Sequence, residues 1–231
     1  MKNIFKFVPS NEFIPNIKPA KQYVPKWYKQ AESFIGGSPK IDGIAQPNST
    51  VKNCMPILDS FNTGYIIELW TDVQVSQTQD GATITWLAHP DPIRQRDGAV
   101  TSTYPTPAGH EGSAHFVWIN PWYMKLPKGY SAIITHPLNR YDLPFITATG
   151  IVDLDSGIGP DSNIPFFLNK DFEGIIPHGT PIMQIIPFKR ESWKSERTNE
   201  ITKEIDKNKY NSLRTHNSYY KKTLWSKKDF N

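Results

Sequence analysis

Between Leu126 and Arg190 the chain carries Pro127, Pro137, Pro144, Pro160, Pro165, Pro177, Pro181 and Pro187, and this spacing constrains the fold more than any other feature. Each proline removes a backbone N–H donor and clashes with the preceding helical turn, so the stretch supports no helix of ordinary length. Between the prolines lie the runs GYSAII, TATGIVD, NIPFFL and GTPIMQIIPF, apolar or β-branched and bounded by Pro, Gly, Asn and Asp. Those are the signatures of short strands joined by turns, and they predict an all-β core.

The same reading extends toward the N-terminus. GYIIELWTDVQVSQ and GATITWLAH flank Gln79-Asp80-Gly81, and Asp-Gly between strand-like runs predicts a hairpin. Residues 88–116 are polar and rich in Pro and Gly, which predicts a long loop, and FVWINPWYMKLP then returns to strand composition. Three segments follow: a proline- and aromatic-rich arm over residues 1–53, a β domain over 54–190, and a basic, partly helical tail over 191–231. In the arm, prolines break every window, and a short helix is expected after Val24-Pro25. Tyr23, Trp27, Tyr28 and Phe34 are costly to leave together in water, so the arm is expected to wrap the β core or a neighbouring subunit.

Charge is uneven along the chain. Residues 189–231 hold 12 Lys or Arg and 6 Asp or Glu, a net +6 against +4 for the whole chain, so residues 1–188 carry −2. ERTNEITKEIDKNKYNSL has the composition of an exposed helix with a thin apolar stripe at Ile201 and Ile205. SYYKKTLWSKKDF interleaves aromatics with lysines, which suits either nucleic-acid contact or packing of Tyr219, Tyr220, Leu224 and Trp225 with the lysines reaching outward; packing is the favoured reading. Cys54 is the single cysteine, so no intrachain disulfide framework exists, and its expected role is that of a small buried hydrophobe. The opening MKNIFKFVPSNEFIPN lacks the apolar region of a secretory signal, and no run reaches the roughly 18 apolar residues of a membrane-spanning helix. A location in a cell's cytoplasm, with no membrane partner, is the expectation.

Several residues are candidates for chemistry. His110-Glu111-(x3)-His115 groups two imidazoles and a carboxylate, as a metal site of the cupin or iron-oxygenase kind needs. On a strand, residues five apart face opposite sides, so these two histidines converge only if Gly112-Ser113 bends the chain. Arg94, Arg96, Arg140, Lys189 and Arg190 are candidates to line a crevice that holds an anion. No Gly-x-x-x-x-Gly-Lys-Ser/Thr loop, dinucleotide fingerprint or Gly-x-Ser-x-Gly elbow occurs.

Gly129-Tyr130, Gly150-Ile151-Val152-Asp153-Leu154-Asp155 and Gly179-Thr180-Pro181-Ile182-Met183-Gln184-Ile185 follow one another in an order and spacing that resembles the dUTP pyrophosphatase and dCTP deaminase superfamily. Asn62-Thr63-Gly64-Tyr65 is a weaker echo of that family's early Gly-Tyr-Asp motif, and the resemblance covers about residues 60–190. It implies a dUTPase-like β-clip, a jelly-roll-like barrel, and a homotrimer. It also implies that Asp153 stands at the water-activating aspartate, with Mg²⁺ as the cofactor of any nucleotide hydrolysis. The phosphate motif departs from the family pattern: counting from Tyr130, His136 falls where the family has Arg and Pro137 where it has Ser. Ser156 replaces the deoxyribose-stacking Tyr, and no glycine follows Gly179, so the glycine-rich closing arm is missing. The deaminase glutamate has no counterpart in Ile164-Pro165-Phe166-Phe167-Leu168. On this alignment His136, Asn139, Arg140, Asp155 and Gln184 are the candidates for nucleotide or anion contacts.

THPLNRYDLPF, GIIPHGTPIMQIIPFKRESW, YKKTLWSKKDF and PAKQYVPKWYK resemble a family of proteins encoded by tailed phages of marine bacteria, which implies a source and not an activity. Two functions follow as expectations. The first is a non-catalytic, trimeric phage protein with an interaction or virion-structural role, whose partners are copies of itself, other phage or host proteins, or nucleic acid through the 191–231 tail. The second is a nucleotide-binding or nucleotide-hydrolysing enzyme with a remodelled site. The corresponding locations are the host cytoplasm or the virion.

Overall fold

A computed structural model describes residues 3–36, 49–79, 81–96, 103–110, 115–159, 162–214 and 219–231. In it the proline-punctuated runs become strands: β9 (Tyr130–Thr135), β10 (Phe145–Thr147), β11 (Gly150–Val152), β12 (Asn163–Leu168), β13 (Gly174–Ile176) and β14 (Pro181–Lys189). Their prolines sit where a missing donor costs little. Pro187 lies beyond the last residue of β14 that pairs with β3 (Tyr65–Glu68), and Pro181 opens β14 at a register shift. The carbonyl of Pro165 still accepts from the Ala148 N–H at 2.8 Å.

All strand pairs between named strands are antiparallel, and the class is all-β. A five-stranded sheet runs β11-β9-β14-β3-β2, with β2 at Lys18–Pro19. A four-stranded sheet runs β10-β12-β7-β6, using β7 (His115–Ile119) and β6 (Ile93–Gln95). A three-stranded sheet runs β13-β4-β5 and contains the hairpin of β4 (Val73–Thr78) and β5 (Gly81–Trp86). Asp80, in the turn, lies outside the described residues. The fourth sheet is a ribbon of β1 (Lys6–Pro9) and β8 (Trp122–Lys125).

The sheets share one apolar core. Ile67, Ala132, Ile134, Ile182 and Met183 come from the five-stranded sheet, Phe116, Trp118, Phe145 and Phe166 from the four-stranded sheet, and Val73, Val75 and Ile176 from the third. Each fully buried aliphatic or phenyl side chain contributes about 1.5–3 kcal/mol. Trp118 and Phe166 stack at 3.8 Å between centroids, and Phe145 meets Trp118 edge-on at 5.1 Å. Two polar groups inside this core form a relay: Trp118 Nε1 donates to Thr147 Oγ1 at 3.0 Å, and Thr147 Oγ1 donates to the Ile182 carbonyl at 2.6 Å. That relay ties the two larger sheets together.

The N-terminal arm packs against this body. β1 and β2 each add to a sheet, and Ile14, Ile17, Ala20 and Tyr28 are buried. The short helix α1 (Lys26–Gln30) follows Pro25. Glu68 on β3 is buried and receives Lys18 Nζ at 2.5 Å and the Tyr23 hydroxyl, so the arm is fixed by charge as well as by apolar contact. Burial, with the Glu68 carboxylate beside it, pushes the Tyr23 phenol well above its ordinary range.

Three features differ from the sequence reading. Residues 55–62, read as part of the β half, form the helix α2 (Met55–Asn62), with Pro56 in its first turn and Met55 and Phe61 buried. Cys54, read as a buried hydrophobe, is exposed just ahead of that helix. Within 88–116 the short strand β6 interrupts the loop and pairs with β7. The tail carries α3 (Thr202–Arg214), whose Ile201, Ile205 and Tyr210 flank stands in solvent, and then returns to the body. There Trp225 Nε1 and Lys228 Nζ reach Asp59 at 2.9 and 2.7 Å, and Phe230 meets Tyr65 edge-on.

Candidate functional site

Strand β9 separates the candidate residues into two groups. Val152, at the end of β11, pairs with Ala132 near the start of β9, which sets Asp153 beside Ser131. His136 follows the far end of β9, five residues beyond Ser131, a path of about 16 Å at ~3.3 Å per residue. Asp153 and His136, both candidates for one site, therefore stand at opposite ends of one strand.

At the Ser131 end the groups are charged and near solvent. Asp153 is 68% exposed at its side chain; its Oδ1 accepts from Ser131 Oγ at 2.5 Å and lies 3.1 Å from Arg190. Arg190 also grips Asp155 through both terminal nitrogens, and its Nη1 donates to the Tyr130 carbonyl at 3.2 Å. The Gly129 N–H donates to Asp155 Oδ2 at 2.9 Å. The Arg190 guanidinium, with that backbone N–H, holds the Asp155 carboxyl down at about 2. This cluster locks the Gly129 turn to the end of β14 and leaves Asp153 as its open carboxylate.

At the other end an imidazole and two amides, buried or half-buried, are uncharged, and the Arg140–Asp142 ion pair lies toward the surface. His136 Nδ1 accepts from the Thr147 N–H at 3.3 Å, and its Nε2 faces the Arg140 carbonyl at 3.0 Å, which assigns the Nε2–H tautomer. Burial pushes its pKa below the ordinary value, so the ring is neutral near pH 7. Gln184 is 2% exposed, accepts from the Leu138 N–H at 2.8 Å, and donates to the Ser60 and Thr63 carbonyls at 2.9 and 2.6 Å. Asn139 adopts φ 57°, a left-handed turn position that suits Asn, and donates to Ser60 Oγ at 2.7 Å. Arg140 forms a bidentate pair with Asp142 at 2.8 and 2.9 Å.

The THPLNR segment is thus a turn bolted onto the C-terminus of α2. Gly64, just past that helix, is required there: at φ +75° an added Cβ would lie 2.1 Å from the Ile185 carbonyl oxygen. Sequence reasoning missed α2 as the partner of Asn139 and Gln184, although Pro56 followed by Ile57, Leu58 and Phe61 carries a helical period.

Of the metal candidates, His110 is buried, His115 opens β7 and packs edge-on against Phe167, and Glu111 lies outside the described residues. Among the described residues no group of three His, Cys, Asp or Glu is placed to hold a metal ion. No helix is long and apolar enough to cross a membrane among the described residues.

No protein-family model matches the chain, and no curated protein sequence matches it. Solved structures do. A mutant dUTPase from phage phi11 of S. aureus is similar at 10% identity and a TM-score of 0.39, over 86% of this chain and 98% of that one. A mutant dUTPase of Staphylococcus bacteriophage 80alpha, solved with dUpNHpp, is similar at 10% identity and a TM-score of 0.39, over 86% and 90%.

Proposed function

We propose that this is a non-catalytic β-clip protein of phage origin that works through its surfaces, as a homotrimer with an interaction or virion-structural role. One observation carries the reading. The polar atoms at the His136 end, which the alignment offers to a nucleotide, are committed to the chain's own backbone and side chains, through Thr147, Arg140, Leu138, Ser60, Thr63 and Asp142. Releasing buried hydrogen bonds to bind a ligand costs about 1–3 kcal/mol for each group left unpaired, which opposes binding there. Exposed apolar side chains such as Trp193, Tyr141 and Phe13 favour contacts with other chains, whether copies of this one or phage or host proteins. The host cytoplasm and the virion are the two locations this role permits.

Mass in solution and calorimetry together test it. The expected results are a trimer and no heat with deoxynucleoside triphosphates in the presence of Mg²⁺. A compact monomer that binds one of them overturns the reading.

The second reading, a nucleotide-hydrolysing enzyme using Mg²⁺, is favoured by one feature. Asp153 is open to solvent beside an arginine, where a carboxylate can take a proton from water.

A further inference from the structure

The β1–β8 ribbon presents one face to solvent. Its register sets Lys6 directly opposite Lys125 and Val8 opposite Tyr123, so these four side chains share one face while Phe7 and Met124 take the other. Like charges directly opposite one another on paired strands repel, and this arrangement is unfavourable unless an anion lies between them. No ion pair among the described residues uses Lys6, Lys125 or Lys128.

Two open cavities meet on this face. One, of about 450 Å³, runs past Val8, Tyr123 and Gly159; the other, of about 700 Å³, runs past Asn3, Leu126 and Lys128. Both are lined by Lys6, Lys125 and Ser156, so the lysine pair sits at the middle of a continuous groove. The carboxylate on its wall, Asp155, is already neutralised by Arg190. Tyr123 is 54% exposed, and Gly159 lies against one edge of its ring, where an added Cβ would come within 3.5 Å of Cε1. A half-open aromatic ring flanked by unpaired lysines, in a groove open along its length, matches a chain of phosphates whose bases stack singly.

We propose that the groove over the β1–β8 ribbon binds single-stranded nucleic acid, with Lys6, Lys125 and Lys128 on successive phosphates and Tyr123 stacked on a base. The surface is distinct from the 191–231 tail and does not require turnover of any nucleotide. It names a partner for the interaction role proposed above, and it stands if that role's trimer fails.

The test is fluorescence anisotropy with the full chain and a labelled oligothymidylate of about 12 nucleotides. Three phosphate contacts predict a slope of log affinity against log salt near −2, roughly an 18-fold loss between 50 and 200 mM salt. The triple variant Lys6→Gln/Lys125→Gln/Lys128→Gln should flatten that slope. Tyr123→Ala should weaken binding about tenfold, with Tyr123→Phe restoring it. Circular dichroism confirms that each variant is folded. Tail variants at Lys203, Lys207 and Lys209 should leave affinity unchanged. The proposal is overturned by absent binding at 50 mM salt, by loss in the tail variants alone, or by duplex DNA binding equally well with no effect of Tyr123→Ala.

Discussion

The two ends of β9 both carry polar side chains and do opposite work. At the Ser131 end, Asp153, Asp155 and Arg190 form a charged clamp at the surface, where water can replace any contact that is lost. At the His136 end, a neutral imidazole and a buried amide hold α2, the THPLNR turn and β14 together, where water cannot replace them. Burial, more than the identity of the polar residue, decides whether a side chain is available for chemistry or is part of the architecture.

That contrast can be broken by substitution, and the buried end should fail first. Gly64→Ala should destabilise by about 4 kcal/mol or more in urea unfolding, because the new Cβ meets backbone and the left-handed conformation is strained. Gln184→Leu keeps the volume and leaves the Leu138 N–H and the Ser60 and Thr63 carbonyls without their partner; the expected cost is about 3 kcal/mol. Thr147→Val removes the acceptor of Trp118 Nε1 and should cost about 1–2 kcal/mol.

Smaller effects sharpen the comparison through pH. The folded-state pKa of His136 is lowered by burial, so the unfolded chain takes up a proton first as pH falls. Its contribution is fully present above the unfolded value near 6.5 and is lost as pH falls toward the lower folded value. Urea midpoints should therefore decline on acidification through pH 6, and His136→Asn should flatten that decline. Asp155, held at about 2, contributes fully above the unfolded value of 3.8, and its contribution is lost progressively as pH falls from there to about 2. Asp155→Asn should accordingly leave the pH profile between 5 and 7 unchanged, as unfolding midpoints across that range would record.

The strands were legible because their signal is local. GYSAII, NIPFFL and GTPIMQIIPF alternate or run apolar between turn residues, and they became β9, β12 and β14. The Asp-Gly hairpin was legible for the same reason. The site was only half legible. The sequence places Asp153, His136 and Gln184 in a familiar order, but it cannot show that β9 holds the first two apart or that α2 engages Gln184. The first depends on strand register, Val152 against Ala132, and the second on a contact between residues more than a hundred positions apart, Gln184 with Ser60. The Lys6–Lys125 juxtaposition was equally hidden, because it arises from pairing the arm with a strand far along the chain.

Pyrophosphate release from deoxynucleoside triphosphates in the presence of Mg²⁺ tests the central claim most directly. The account predicts none above background for the intact protein, with the Asp153→Asn variant indistinguishable from it. Turnover by the intact protein that disappears in Asp153→Asn would contradict the account.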